Sequence, residues 1–313
     1  MQKSKLNRQF FDRLIDTLMP VFAVLAAFAV GAVILLLQGV NPLEAYQSMI
    51  VGAFGSKNGL SDTLVKATPL LLVGLGIAIA FRGGVINIGA EGQIIMGSLF
   101  TTWVGLQLGN QVSGVIVIIL GLLAGTFMGG VWGAIPGYLK AQLGVNEILS
   151  TIMLNQIAIQ IGYYLLRGPM MDPAEIAAGT NIPHSARLIK DIDMPRFTDI
   201  ARSLGFTQSA KDLNLQGFLG EVYGVLTEPT RLHSGFIFAI IMAIVVYIFL
   251  WRTTIGYRIR AVGLNRHASR YAGMNVKRTM VLSMTLSGAF AGLAGAVEIL
   301  GLHHRMFEPT AVS

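Results

Sequence analysis

The sequence predicts an all-α protein, a polytopic transmembrane helical bundle of about seven spans that forms one membrane domain over residues 1–313. Three observations carry this expectation. Only 12% of the residues are charged, against roughly 25% in soluble domains. Hydrophobic residues make up 53% of the chain and mean hydropathy is +0.64, with the apolar residues gathered in runs close to the ~20 residues that cross a bilayer. The chain also holds 37 glycines, which let membrane helices approach closely. There is no cysteine, so disulfides, thiolate catalysis and cysteine-based metal sites are excluded.

Taken in order, the polar segment Met1–Met19 precedes an apolar run, Pro20–Leu37. The run is long for a signal peptide and no small-residue cleavage pattern follows it, so it reads as a retained first span. An amphipathic piece around Leu43–Phe54 lies in the short connection Asn41–Gly59. The further predicted spans are Leu64–Phe81, Gln93–Leu108, Gly114–Tyr138, Glu147–Leu166, Ser234–Trp251 and Thr279–Leu302. Between the fifth and sixth lies a long polar segment, 167–233, and between the sixth and seventh a basic one, 252–278. In the fourth span Gly121, Gly125, Gly129, Gly133 and Gly137 recur every four residues and share one helix face, a ridge for close packing; Gly288 and Gly292 repeat the theme in the seventh.

Charge orients this map. With the N-terminus in the cytoplasm, the inner segments hold thirteen Lys and Arg and four acids, and the outer segments ten basic and eleven acidic residues. The opposite orientation would place the seven Lys and Arg of 252–278, a short loop without an acid, outside. The net charge of +7 is thus assigned to membrane topology and lipid, with no nucleic acid partner.

Chemistry-bearing motifs are few. No GxxxxGK[ST] phosphate loop and no HExxH is present, and adjacent His303 and His304 point about 100° apart on a helix, unlike a metal pair. No metal, no catalytic residue and no cofactor is expected in this chain. What stands out are polar residues in apolar surroundings, which usually face a bundle interior or a water-filled path. The stretch FRGGVINIGAEGQ, Phe81–Gln93, interrupts two apolar runs with Gly83, Gly84, Asn87, Glu91 and Gln93. Two readings stand: a plain loop, or a broken helix in which Asn87 caps a new half-helix and Glu91 complements its dipole. Glu147, Thr151 and Asn155 recur at i, i+4 and i+8 on one face of the fifth span, suited either to interhelical hydrogen bonding or to a pathway. Glu298 stands alone in the seventh span, as an ion-pair partner or a substrate contact. Within 252–278, Gly263–Asn265 reads as a turn, Arg266–Tyr271 as a short helix and Gly273 as its stop. Such a helix docks in a partner's groove or lies on anionic headgroups.

These stretches resemble the permease subunits of ABC importers, in the superfamily that takes up branched-chain amino acids, simple sugars and nucleosides. FRGGVINIGAEGQ is similar to the family's R-x-G-x-x-N-I-G-x-E-G-Q, GVNEILSTIMLN to its NE-x-(I/L)-x-T-I-M-L-N, and AVGLNRHASRYAGMNVKR followed by SGAFAGLAGAVE to its coupling loop and the next helix. The first two motifs point to the nucleoside branch. The resemblance implies a type II-like importer permease in the cytoplasmic membrane. Its implied partners are ABC ATPase subunits that bind the ATP, a second permease in a hetero- or homodimer, an extracytoplasmic substrate-binding protein and a nucleoside substrate. It further implies that 167–233 is an extracytoplasmic insertion and 252–278 a cytoplasmic coupling loop, with Gly263, Leu264, Asn265, Arg266, Ala272 and Gly273 at the ATPase contact. The substrate pathway would draw on Asn87, Glu91, Gln93, Glu147, Thr151, Asn155 and Glu298. Family members continue with further spans, so EPTAVS reads as the entry to a next segment. A sugar or other small-solute permease is the alternative substrate reading; from another class, an ion-coupled secondary transporter would need a titratable relay within the spans.

Overall fold

A computed structural model describes residues 2–308, except positions 181, 207, 209, 211 and 214, with side chains described at position 15 and from residue 18 onward. The tail reading of EPTAVS and the charges of the first residues lie outside it. The described residues form helices with no strand; only two isolated bridges occur, His184 with Phe307 and Arg196 with His233.

The helices are α1 (Gln2–Leu37), α2 (Pro42–Phe54), α3 (Lys57–Arg82), α4 (Ala90–Leu108), α5 (Gly114–Tyr138), α6 (Glu147–Leu166), α7 (Pro173–Ala178), α8 (Phe197–Ser203), α9 (Gly217–Thr227), α10 (Gly235–Arg252), α11 (Thr254–Leu264), α12 (Arg266–Tyr271) and α13 (Val276–Glu298). Two wide π-turns extend α5 over Leu139–Leu143 and α13 over Ile299–His303. Among the described residues six helices are long and apolar enough to cross a membrane; these are the apolar part of α1 (Leu18–Leu37), α3, α5, α6, α10 and α13.

The predicted third span, Gln93–Leu108, falls in α4, which is not among the six. Its length of roughly 28 Å would cross a hydrocarbon core, but Glu91, Gln93, Ser98, Thr101, Thr102 and Gln107 lower its apolarity. Most of those polar side chains are buried against protein, which removes the need for an apolar surface. α5 and α6 keep the predicted boundaries Gly114–Tyr138 and Glu147–Leu166, while other boundaries shift. α1 is one continuous helix that carries Pro20 inside it, so the polar start and the predicted first span are not separate elements. α3 begins seven residues ahead of the predicted Leu64, capped by Ser56, whose hydroxyl accepts from the Gly59 amide.

The core is built on α13, wrapped by α3, α4 and α5. The glycine ridge of α5 meets the glycines of α13 face to face. A Cβ placed on Gly129 would lie 2.4 Å from the Gly288 carbonyl oxygen, and one on Gly292 2.2 Å from that of Gly125. With no side chain between them the two backbones touch, which is what the four-residue spacing serves. Around the seam pack Leu72, Ile79, Leu99, Leu293 and Leu300, all buried. α1 stays at the periphery with its apolar side chains exposed. It rests on α2 through Tyr46, whose hydroxyl donates to the Phe28 carbonyl at 2.6 Å while the two rings meet edge to face.

The chain's polar segments gather at two ends. At one, Arg82 and Arg260 both lie over the Trp251 ring, Lys140 pairs with Glu147 at 2.6 Å, and α11 and α12 follow directly. At the other, residues 184–194 run beside the end of α13. The amides of Ser185, Leu188 and Met194 donate to the carbonyls of Met306, His304 and Leu300, and Lys57 pairs with Glu228 of the 167–233 segment.

Candidate functional site

The stretch Phe81–Gln93 is a helix break, and four elements hold it. α3 ends at Arg82, and Gly84 turns the chain with φ +70°, a left-handed conformation that a side chain would strain. Gly83 lies so close to Ser283 of α13 that a Cβ would overlap the serine hydroxyl. Residues 85–89 form no regular element, and α4 starts at Ala90. Its N-cap is Gly89 rather than Asn87 as the sequence suggested. Asn87 acts two residues earlier: its side-chain oxygen accepts from the Gly89 amide at 2.9 Å. This is an Asx turn that steers the chain into the helix.

Asn87 is buried, 4% exposed, and both polar atoms of its side chain are used. Its Nδ2 donates to Gln93 Oε1 at 2.9 Å and to Ser287 Oγ at 2.8 Å. Gln93, 1% exposed, donates back to Asn87 Oδ1 at 3.2 Å. The start of α4 has free backbone donors, as every helix start does. α6 satisfies one of them, because Asn155 Oδ1 accepts from the Gly92 amide at 3.0 Å while its Nδ2 donates to the Ile88 carbonyl at 3.2 Å. Thr151 abuts Gly89, where a Cβ would come 3.0 Å from the threonine Cβ, and its hydroxyl donates to the Glu147 carbonyl at 2.7 Å. Two of the polar groups marked in the sequence therefore form one network around one break.

The remaining marked residues fall elsewhere. Glu91, in the first turn of α4, is exposed. Glu147 starts α6 and pairs with Lys140. Glu298 ends α13, roughly 16 Å along the helix from Ser287, with its carboxylate 3.9 Å from His303 Nε2.

The basic segment reaches the break directly. Arg266–Tyr271 is the short helix the sequence predicted, N-capped by Asn265, whose side chain accepts from the Ala268 amide. Gly273 follows with φ +77°. The predicted turn at Gly263–Asn265 narrows to Asn265, because Gly263 and Leu264 complete α11. That helical glycine packs onto the break itself: a Cβ on Gly263 would lie 2.1 Å from the Arg82 carbonyl oxygen and 2.9 Å from the Gly84 nitrogen. Arg266 then donates from Nη2 to the Gly84 carbonyl at 2.5 Å. Leu264 and Tyr271 point away, 88% and 95% exposed.

The residues that the sequence reading missed are Ser283 and Ser287. The serines partner the break from about 200 positions away, and no local signal marks them.

These features define a multi-pass helical membrane protein whose core is interrupted by a hydrogen-bonded break tied to a basic, helical loop. Residues 59–312 match the family described as branched-chain amino acid transport system / permease component. The chain belongs to this family and is a membrane permease. It is 36% identical over 300 residues to the guanosine ABC transporter permease protein NupP of Bacillus subtilis, covering 96% of this chain and 75% of that one. It is 36% identical to the glucose ABC transporter permease protein TsgB13 of Haloferax volcanii, over 91% of this chain and 68% of that one. To the nucleoside ABC transporter permease protein NupB of Lactococcus lactis it is 34% identical, over 94% and 73%. No solved structure gives a significant match.

Proposed function

We propose that this chain is the permease subunit of an ABC importer that moves nucleosides across the cytoplasmic membrane by alternating access, driven by a separate ATPase. The observation that carries this reading is the similarity, over nearly the whole chain, to permeases named for guanosine and for nucleosides. The N-terminus and residues 252–278 face the cytoplasm, as the excess of Lys and Arg in these segments favours. Residues 167–233 face outward, toward a substrate-binding protein, and a second permease completes the pore. A glucose permease of equal identity supports a second reading, in which the neutral solute is a sugar.

α12 and its flanks are the ATPase contact. Leu264 and Tyr271 expose apolar surface on a loop that is otherwise basic, which suits a protein groove better than headgroups alone. Arg266 and Gly263 then carry any displacement of α12 to the α3–α4 junction, because both bear on backbone atoms of the break. Of the seven polar pathway candidates Glu91 is the exposed one. We assign it the solute-facing role, while Asn87, Gln93, Thr151 and Asn155 hold the backbone that presents it.

The test is uptake of labelled guanosine and of labelled glucose into membrane vesicles that carry the whole transporter. Guanosine uptake that requires ATP supports the reading; uptake driven by an ion gradient alone overturns it. Gly273→Pro forces φ near −65° where the chain needs +77°. It should leave membrane insertion intact and abolish uptake, and wild-type uptake by that variant would sink the coupling role.

A further inference from the structure

We propose that Arg258 and Arg278 form a binding site for the phosphate of an anionic phospholipid, in a cavity between α11 and the start of α13. The site depends neither on which solute the chain carries nor on which way round it inserts, so it stands apart from the importer reading.

The cavity holds about 620 Å³, within the size range of small-molecule sites. α11 gives it Thr254, Ile255, Tyr257 and Arg258, and the first two turns of α13 give it Arg278 and Leu282. Residues 272–275, which join α12 to α13, line it too.

Its charge is one-sided. Segment 252–278 contains no acid, and none lines the cavity. Of the other cations in the segment, Arg260 is engaged by the Leu250 carbonyl, Arg266 by the Gly84 carbonyl and Lys277 by Gln142. The guanidiniums of Arg258 and Arg278 have no partner among the described residues, and both residues are exposed. Two such groups on one cavity raise its positive potential, which a bound anion lowers. Phosphate oxygens accept from guanidinium in the bidentate geometry that arginine favours. The hydroxyls of Thr254 and Tyr257 add donors.

Depth selects a lipid over a free anion or an acidic protein side chain. α10 ends at Arg252 and α13 begins at Val276, and both are long and apolar enough to span. The cavity therefore sits where the chain leaves the hydrocarbon core. Arg278 lies in the first turn of α13, and Leu282 roughly 6 Å deeper along it. The lining thus runs from charge at headgroup level to apolar side chains at the edge of the core, with Ile255 and Tyr257 exposed. A free phosphate or a protein carboxylate would pair the arginines and leave the apolar part wet. A phospholipid covers both with one molecule, as basic pockets between membrane helices do with anionic headgroups. Bound there, it ties α11 to the root of α13, next to α12.

The experiment uses the whole transporter purified in detergent, titrated in turn with phosphatidylglycerol, phosphatidylcholine and inorganic phosphate. Bound lipid is counted by native mass spectrometry and the melting temperature is followed in parallel. The unaltered transporter should prefer phosphatidylglycerol about tenfold and be stabilised by it. Arg258→Gln and Arg278→Gln should each weaken that lipid about tenfold, the loss of one charge-assisted contact, and the double variant should abolish the preference. Both side chains are exposed, so complexes should assemble. Arg258→Lys with Arg278→Lys should keep much of the preference. Arg252→Gln with Arg270→Gln removes the same charge outside the cavity and should keep all of it. Equal phosphatidylglycerol binding with and without the two arginines overturns the site. An equal loss in the Arg252 and Arg270 double variant overturns it as well, in favour of diffuse surface charge. Stabilisation by inorganic phosphate alone, lost in the same variants, overturns the lipid assignment. So does release of the ATPase subunits by the double glutamine variant with lipid binding unchanged, which would make the arginines a protein contact.

Discussion

Two irregular segments flank α13, residues 83–89 beside its first half and 299–307 after its end, and they are held by different chemistry. The first relies on amides, hydroxyls and glycines: Asn87, Gln93, Asn155 and Ser287 fill its hydrogen bonds, and nothing in that network titrates near neutral pH. The second relies on imidazoles. His233 is buried against Gly301, with Nδ1 accepting from the Gly235 amide at 3.2 Å. His304, in a left-handed conformation at φ 55°, faces Asp193 at 2.8 Å. Burial pushes His233 down to about 4, helped by the nearby His304 and Arg196. Burial likewise holds His304 below its usual range, against the opposing pull of Asp193. The difference teaches that one protein fixes two bends in its core by means that respond differently to acid.

The largest expected effect breaks the seam that both segments share. Gly292→Val would drive methyl groups into the backbone of α5, costing upward of ~3 kcal/mol. The variant should be lost from the membrane fraction or elute as aggregate in detergent.

Next comes the amide bend. Asn87→Ala strands the Gly89 amide, Gln93 and Ser287, for about 3 kcal/mol. The loss of thermal stability should be the same at pH 7 and pH 5, since no member of the network titrates between them.

The imidazole bend behaves otherwise. The folded His233 has a lowered pKa, so below about 6.5 the unfolded chain binds the proton first. Stability is therefore full above that value and falls as pH drops toward 4, by about 2 kcal/mol at pH 5. A melting temperature that declines over this window, and declines less in His233→Gln, checks the sign; a rise on acidification would refute it.

The smallest effect on stability belongs to Arg266→Ala, within about 1 kcal/mol because the side chain is exposed. Its effect on function should be large: ATPase docking kept, transport per ATP hydrolysed reduced. Unaltered coupling would remove the direct link between α12 and the break.

Much of this was legible in the sequence where the signal is local and periodic. Glycines every four residues marked the α5 ridge, and Gly288 and Gly292 repeated the theme in α13, though that the two helices pair was visible only in the fold. The pair Gly83–Gly84 marked the break, and Asn265 with Gly273 bracketed α12. What escaped depends on contacts across the chain. Asn87 looked like a helix cap because an asparagine before a helix usually is one. Its bond to Ser287 needs two helices brought together from 200 positions apart. Gly263 looked like a turn residue, yet its value is that a helical backbone can lie on the Arg82 carbonyl.

The burial of α4 bears on how the protein is made. Among the long helices in the core it is the one not apolar enough to enter lipid by itself, and it is buried by packing against α5, α6 and α13, with Thr101 donating to the Gly121 carbonyl of α5 at 2.9 Å. α13 begins about 170 residues after α4 ends, a delay on the order of ten to thirty seconds at ribosomal speed. During biosynthesis α4 must therefore wait beside the translocon or its earlier neighbours until α13 arrives, and a nascent chain halted before residue 276 would expose α4 to membrane quality control.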